Sequence, residues 1–181
     1  SQHPHLDMGG LRALTAVAVR MLDNVYALSA FALKPQEKEA HATRPLALGV
    51  TGVADMLLML GLRYGSPASQ TLVHEALCAI RDTAYLTSIE LAQEKGPFPA
   101  FDKLRFVASP NVLNLPHELQ DGIVKYGLRN SQLLAVMPLG SVSLLANNVS
   151  SGLGPVTAFS TTRQWHAADG SATALAVHDP A

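Results

Sequence analysis

Residues Arg129 to Pro155 read RNSQLLAVMPLGSVSLLANNVSSGLGP, and the fold turns on how this stretch is parsed. Gln132 to Met137 is an uncharged, largely apolar run, which predicts a short strand buried on both faces. Pro138 stops it. Leu139-Gly140-Ser141-Val142-Ser143, small and hydroxyl-bearing, then leads into Leu144-Leu145-Ala146, so the expected geometry is a strand end, a tight turn and a helix N-terminus. Backbone N–H groups at such a turn lack intrahelical partners, and the helix dipole adds about half a positive charge, so an anion is favoured there. On the residues alone two readings stand: a phosphate seat, or a serine, Ser141 or Ser143, that only caps the helix.

Downstream, Val156 to Thr162 has the β-branched and aromatic content of a strand. Arg163 to His166, a turn at Asp169-Gly170, and Ala172 to Val177 predict a hairpin, with Trp165 and His166 read as cross-strand packing rather than stacking on a base. Asp179-Pro180-Ala181 is a tail. Upstream, Pro116 to Tyr126 predicts a helix ended by Gly127, and residues 103 to 116 carry few periodic signals. Pro97-Phe98-Pro99-Ala100-Phe101-Asp102 is a rigid connection with two aromatic anchors.

Ser66-Pro67, a capping hydroxyl before a first-turn proline, opens a helix that runs to Lys95 and ends at Gly96-Pro97. Leu72, Ala76, Ile80, Ala84, Ile89 and Leu91 are its buried candidates. Cys78, among Leu77, Ala79 and Ile80, reads as a buried, inert thiol, with His74 and Glu75 solvated. Gly49-x-x-Gly52 lacks the third glycine and the acidic residue about 20 positions on that a dinucleotide turn needs. It reads as a helix whose glycines allow close packing. Lys34 to Arg44 is a loop or a short exposed helix with His41 at the surface. Leu11, Leu14, Ala18, Met21, Leu22, Val25 and Leu28 recur at helical spacing and predict an amphipathic helix over 10 to 32, with Arg20, Asp23 and Asn24 at its edge, solvated or in a local ion pair. His3 and His5 form an H-x-H pair with no third ligand nearby, too little for a metal site.

A chain of 181 residues, 48% hydrophobic and 15% charged, suits one globular domain with an ample core. Its net charge of -1 provides no basic field, which argues against nonspecific nucleic-acid binding. The apolar stretch Val50 to Leu62 is broken by Asp55 and Gly61 and is too short for a bilayer, and the basic and apolar blocks of a signal peptide do not precede Leu11. One cysteine makes no internal disulfide, so a reducing cytoplasm is expected.

Arg129-Asn130-Ser131-Gln132, the apolar run, Pro-x-Gly-Ser-x-Ser, then Asn147-Asn148-Val149-Ser150-Ser151-Gly152 and Pro155 resemble the C-terminal catalytic-barrel segment of ribonucleotide reductases, most of all the class II, adenosylcobalamin-dependent enzymes. Val19-Arg20-Met21-Leu22-Asp23-Asn24-Val25 and Gly-Pro-Phe-Pro-x-Phe at 96 to 101 are similar to the same family, so the resemblance extends from about Leu6 to Asp179. It implies a mainly α chain with a few strands that is an incomplete portion of a ten-stranded α/β barrel: one C-terminal segment over 1–181, helical over 10–127, with a strand, phosphate loop and closing strands over 129–181. It also implies that Leu139, Gly140, Ser141, Val142 and Ser143 hold the substrate's phosphates. Two positions depart from the family: Leu139 stands where threonine is usual, and Gly154 where a glutamate precedes the proline.

In that family a cysteine thiyl radical abstracts the ribose 3′ hydrogen and a cysteine pair supplies electrons. This sequence has Cys78 alone and no Cys-Gly-Glu motif, and the family's C-terminal cysteine clusters are missing from it as well. The resemblance therefore implies a subunit or fragment of a vitamin B12-dependent ribonucleoside-diphosphate reductase that is not active alone. A cysteine-bearing N-terminal reductase chain is its expected partner, a ribonucleotide its substrate and adenosylcobalamin the cofactor of the complex. Open sheet edges imply association with that partner or with itself. A catalytically inactive regulatory or interaction protein on the same framework is the alternative, and a free-standing nucleotide-binding domain a third reading.

Overall fold

The computed structural model describes residues 4–181, apart from the side chain of Trp165. His3 of the H-x-H pair lies outside the described residues, as does the packing expected of the Trp165 ring. The chain is mainly helical: α1 (Met8–Leu28), α2 (Lys34–Thr43), α3 (Val53–Met59), α4 (Pro67–Lys95), α5 (Lys103–Val107), α6 (Pro110–Leu113), α7 (His117–Tyr126) and α8 (Gly140–Leu145) precede a hairpin of β1 (Ser160–His166) and β2 (Ala172–His178). Among the described residues no helix is long and apolar enough to cross a membrane. Two compact units form, one from residues 7–48 and 74–135, the other from 4–6, 49–73 and 136–181.

In the first unit, local signals set the helix ends. Asp7 caps α1 through Gly10 N at 2.8 Å. Asp102 and Ser109 cap α5 and α6 through Arg105 N and Val112 N, two helices absent from the periodicity because each is a single turn or little more. Gly127 ends α7 at φ 78°, where a Cβ would lie 2.9 Å from Pro97 Cβ, so only glycine fits. Phe98 is buried as expected, its ring 5.3 Å from that of Phe101 and 5.5 Å from that of Phe106, in a core with Ile89, Val112, Leu119 and Ile123.

A second core joins Val19 of α1, Leu46, Ala84 and Leu91 of α4, and Leu133. It decides which face of α1 is covered. The buried residues are Thr15, Val19 and Asp23, while Leu14, Val17, Met21, Val25 and Leu28 are exposed, which corrects the expectation that the apolar stripe faces inward. Asp23 is also not at a solvated edge. It is fully buried, because three cations converge on it: Arg44 at 2.6 Å, Lys95 at 3.2 Å and Arg129 at 3.4 Å. Asn130 Nδ2 donates to Asp23 Oδ1 at 3.1 Å and to the Arg44 carbonyl at 3.3 Å, and Ser88 Oγ bonds Asn130. Arg20 pairs with Glu94 at 2.7 Å on the surface, where such pairs contribute little. His41, expected at the surface, is half-buried with its ring edge-on to Tyr26 and Phe31.

Gln132 to Met137 is extended but is not a strand buried on both faces. It makes one parallel bridge, Leu134 to Leu48, and only Leu133 is buried, while Val136 is 84% exposed. The physical reason is that a run buried on both faces needs a strand on each side and a layer on each face, and within its unit this one has a single neighbour and a single helical layer. Gly49 lies outside any helix and Gly52 is the left-handed N-cap of α3, so the two are not within a helix as expected. The residues from 156 to 159 precede the hairpin rather than belonging to it, and β1 and β2 pair antiparallel from Ser160↔His178 to His166↔Ala172.

Burial by itself would raise the Asp23 carboxyl, but hydrogen bonds from Arg44 and Asn130, the Arg44 charge and Lys95 outweigh it and hold the group below the ordinary carboxylate value. A carboxyl depressed on folding stabilises above its unfolded pKa of about 3.9, and that contribution is lost as pH falls through the lower folded value. Asp23→Ala leaves buried cations unpaired and is expected to lower stability by about 3–5 kcal/mol in urea unfolding at pH 7. The variant's loss of stability below about pH 4 should be shallower than that of the parent, because one depressed carboxylate has gone.

Candidate functional site

The second unit contains the Pro-x-Gly-Ser turn. Pro138 ends the extended segment, Leu139 occupies the N-cap position of α8 with φ −110° and ψ 56°, and no side chain caps the helix. Neither serine is the cap. Leu139 N donates to the Ser151 carbonyl at 2.8 Å and Ser143 N to the Leu139 carbonyl at 2.8 Å. Between these two bonds, the amides of Gly140, Ser141 and Val142 make no hydrogen bond among the described residues. Ser141 and Val142 are exposed, and a Cβ on Gly140 would meet nothing within 4 Å. Three successive amides without a hydrogen-bond partner among the described residues therefore lie beside an exposed hydroxyl.

Ser143 is different. It is fully buried and its Oγ donates to the Gly140 carbonyl at 2.8 Å, so it braces the turn from behind. Residues 132 to 155 carry no charged side chain, so an anion here meets amides, one hydroxyl and the weak dipole of a short helix.

The turn is held in place by the segment after α8. Asn147 and Asn148 both adopt positive φ, 67° and 61°, which asparagine tolerates better than most residues and which ends the helix. Asn148 Nδ2 donates to the His178 carbonyl at 2.9 Å. Gly152, at φ 145°, passes the Met137 carbonyl so closely that a Cβ would sit 3.2 Å from its oxygen. Ser150 then locks onto α3: Gly52 N donates to its carbonyl at 2.8 Å, Ala54 N to its Oγ at 3.3 Å, and Ser150 N donates to Asp55 Oδ2 at 2.8 Å. Asp55 is 2% exposed. Tyr64 adds a bond from its hydroxyl to the Leu153 carbonyl at 2.7 Å.

Of the residues expected to hold phosphate, Gly140, Ser141 and Val142 present free amides together, while Leu139 and Ser143 use theirs to frame the turn. The sequence gives Asp55 only as a break in an apolar stretch and Ser150 only as part of a motif, and it marks no role for Tyr64. The signal for Asp55 was available, since it stands three residues after Gly52, the spacing of a capping pair, but its partner is nearly a hundred positions away. Cys78, in the other unit, is half-buried rather than buried, with Sγ 3.6 Å from His74 Nε2. It belongs to α4 and not to the turn.

The family described as ribonucleotide reductase, barrel domain, matches residues 1–178. This chain belongs to that family. A vitamin B12-dependent ribonucleoside-diphosphate reductase of Mycobacterium tuberculosis is 34% identical over 158 residues, 87% of this chain and 20% of that protein. A protein of the same name from Thermoplasma acidophilum is 30% identical over 158 residues, 87% of this chain and 18% of the relative. The ribonucleoside-diphosphate reductase large subunit of Arabidopsis thaliana is 30% identical over 159 residues, 82% of this chain and 20% of that subunit. The reductase-barrel chain thus spans about a fifth of the length of these relatives.

Removing the Asp55 carboxylate leaves Ser150 N without its acceptor. Asp55→Ala is expected to cost about 1–3 kcal/mol and to increase amide exchange across residues 148–152, measured by urea unfolding and hydrogen exchange.

Proposed function

We propose that this chain supplies the substrate-phosphate loop of a ribonucleoside-diphosphate reductase, with the radical and redox cysteines on a partner chain. The observation that carries the reading is the trio of amides at Gly140, Ser141 and Val142 with no hydrogen-bond partner among the described residues, at a turn where a Cβ on Gly140 would meet nothing within 4 Å. The Ser141 hydroxyl adds a fourth donor. Leu139 in place of threonine removes one hydroxyl, but backbone amides are the main donors and they do not depend on that side chain.

The contribution of this chain is positioning. Anchoring the phosphates fixes the ribose against the partner's reactive thiol, and holding two reactants in register accounts for a large part of many enzymatic accelerations without any anchoring residue changing covalency. The two relatives named vitamin B12-dependent support a class II assignment with adenosylcobalamin as cofactor. Among the described residues no three His, Cys, Asp or Glu side chains gather where they could hold a metal ion. A reducing cytoplasm suits the unpaired Cys78.

Reconstitution tests the reading: the chain is mixed with a cysteine-bearing reductase chain, adenosylcobalamin and a dithiol reductant, and deoxyribonucleotide is measured. Turnover that requires both chains is expected. A stable complex with no turnover would favour a regulatory role instead. Gly140→Val is expected to unfold at the parent's temperature, since its new side chain meets open space, yet to lower kcat/KM by about 100-fold or more by blocking the amides. Cys78→Ala should leave turnover unchanged and affect stability only, and loss of turnover with assembly intact would show that this thiol is chemically engaged.

A further inference from the structure

The frame of the Pro-x-Gly-Ser turn runs back to one side chain of α3. Leu139 N, which opens the frame, donates to the Ser151 carbonyl at 2.8 Å. One residue earlier, Ser150 is held at three polar groups: its carbonyl accepts from Gly52 N at 2.8 Å, its Oγ from Ala54 N at 3.3 Å, and its amide donates to Asp55 Oδ2 at 2.8 Å. Gly52, at φ 73°, packs against the same segment, since a Cβ there would lie 3.5 Å from the Val149 side chain. Gly52 and Ala54 act through main-chain amides, which any residue but proline provides. Of the three contacts from the start of α3, only that of Asp55 is made by a side chain.

Stability by itself does not account for this carboxyl group. Asp55 is 2% exposed and forms no ion pair among the described residues, and its Oδ1 is buried without a hydrogen-bond partner among them. Asp23, buried as fully, has three cations around it. A buried carboxyl group with so few partners is a poorer source of stability than an apolar side chain of its size. What it adds is an acceptor for Ser150 N, which bonds nothing else among the described residues.

We infer that Asp55 is the positioning residue of the phosphate loop: through Ser150 N it fixes the chain at 150–151, through the Ser151 carbonyl it fixes Leu139, and so it sets where the amides of Gly140, Ser141 and Val142 are presented. It acts through these residues and touches no substrate itself. The inference rests on the phosphate-loop reading above and adds which side chain holds the loop to it. Donors that are to meet a diphosphate must already be in place, and rigid support behind the contacting groups keeps them there. A loosened loop still carries its three amides but binds the diphosphate more weakly in ground state and transition state alike, which raises KM and leaves kcat nearly unchanged.

The test uses the full chain reconstituted with the cysteine-bearing chain, adenosylcobalamin and a dithiol reductant. Asp55→Ala is expected to raise KM for a ribonucleoside diphosphate at least about tenfold with kcat within about threefold of the parent. Asp55→Val, which fills the site with apolar atoms, is expected to do the same. Asp55→Asn, whose side-chain oxygen accepts the same bond, is expected to return KM to within about threefold of the parent. Val112→Ala, in the core of the other unit, lowers stability by a separate route and is expected to leave KM unchanged. In the lone chain, Asp55→Ala should speed hydrogen exchange at Leu139 and Ser143 while the paired amides of β1 and β2 keep the parent rates. If the alanine and valine variants keep the parent KM and the parent exchange at Leu139 while Gly140→Val lowers turnover, the positioning role is wrong and the phosphate-loop reading stands. An asparagine variant as impaired as the alanine one would show that the bond to Ser150 N is not what matters and would also overturn the proposal. If the parent does not turn over, or Gly140→Val turns over like it, the phosphate-loop reading fails and takes this role with it.

Discussion

A carboxylate with no exposure to water depends on its neighbours, and Asp23 draws four separate parts of the first unit together. Arg44 comes from the residue that closes α2, Lys95 from the last turn of α4, and Arg129 and Asn130 from the chain entering the extended segment. Arg129 also bonds the Lys95 and Gly96 carbonyls at the end of α4. The cost of burying an ion is several kcal/mol, and only a full set of cations and hydrogen bonds offsets it. That requirement gives the network its specificity: each of these elements must sit in one place for the carboxylate to be satisfied. Asn130 transmits the placement onward by bonding the Arg44 carbonyl, beside the segment where Leu46 and Leu48 pair with Gln132 to Ala135.

In the second unit the same principle acts in reverse. Ser150 donates its amide to Asp55 Oδ2 and accepts the Gly52 and Ala54 amides, while the buried Asp55 Oδ1 has no partner among the described residues; Ser143 braces the Gly140 carbonyl, and Asn148 and Tyr64 hold carbonyls of the hairpin and the loop. The amides at 140–142 make no hydrogen bond among the described residues, and neither do those from Ser151 to Gly154. What distinguishes 140–142 is that three successive amides lie between two framing bonds at a helix start, and the proposal that they seat an anion rests on donors fixed in advance needing no reorganisation when a ligand arrives.

The helix boundaries were legible wherever a local signal sufficed: Ser66-Pro67 and Gly96-Pro97 bracket α4 as read, Gly127 ends α7, and Asp169-Gly170 closes the hairpin. Single-turn helices such as α6 escaped because their caps act without any periodic pattern to mark them. The direction of α1 escaped for another reason. Its Leu and Val stripe is the more apolar side, but the covered side carries Asp23 with its distant partners and Val19 in the core, and leaving that carboxylate's cations unpaired would be strongly unfavourable.

The sequence alone determined which residues could form helices, where glycine and proline end them, that a small hydroxyl-rich turn follows an apolar run at 138–143, and the family to which these motifs point. Each of those depends on contacts within a few residues or on matching a known pattern. Tertiary structure decided what happens between distant parts: that Asp23 is buried among cations and an amide, the amide of Asn130 lying 107 positions away in the chain, that Ser143 turns inward while Ser141 stays open, and that the 132–135 segment has one paired edge and one free one. The reason is that burial and hydrogen-bond pairing belong to positions in space, and the order of residues along the chain carries them only when both partners are neighbours.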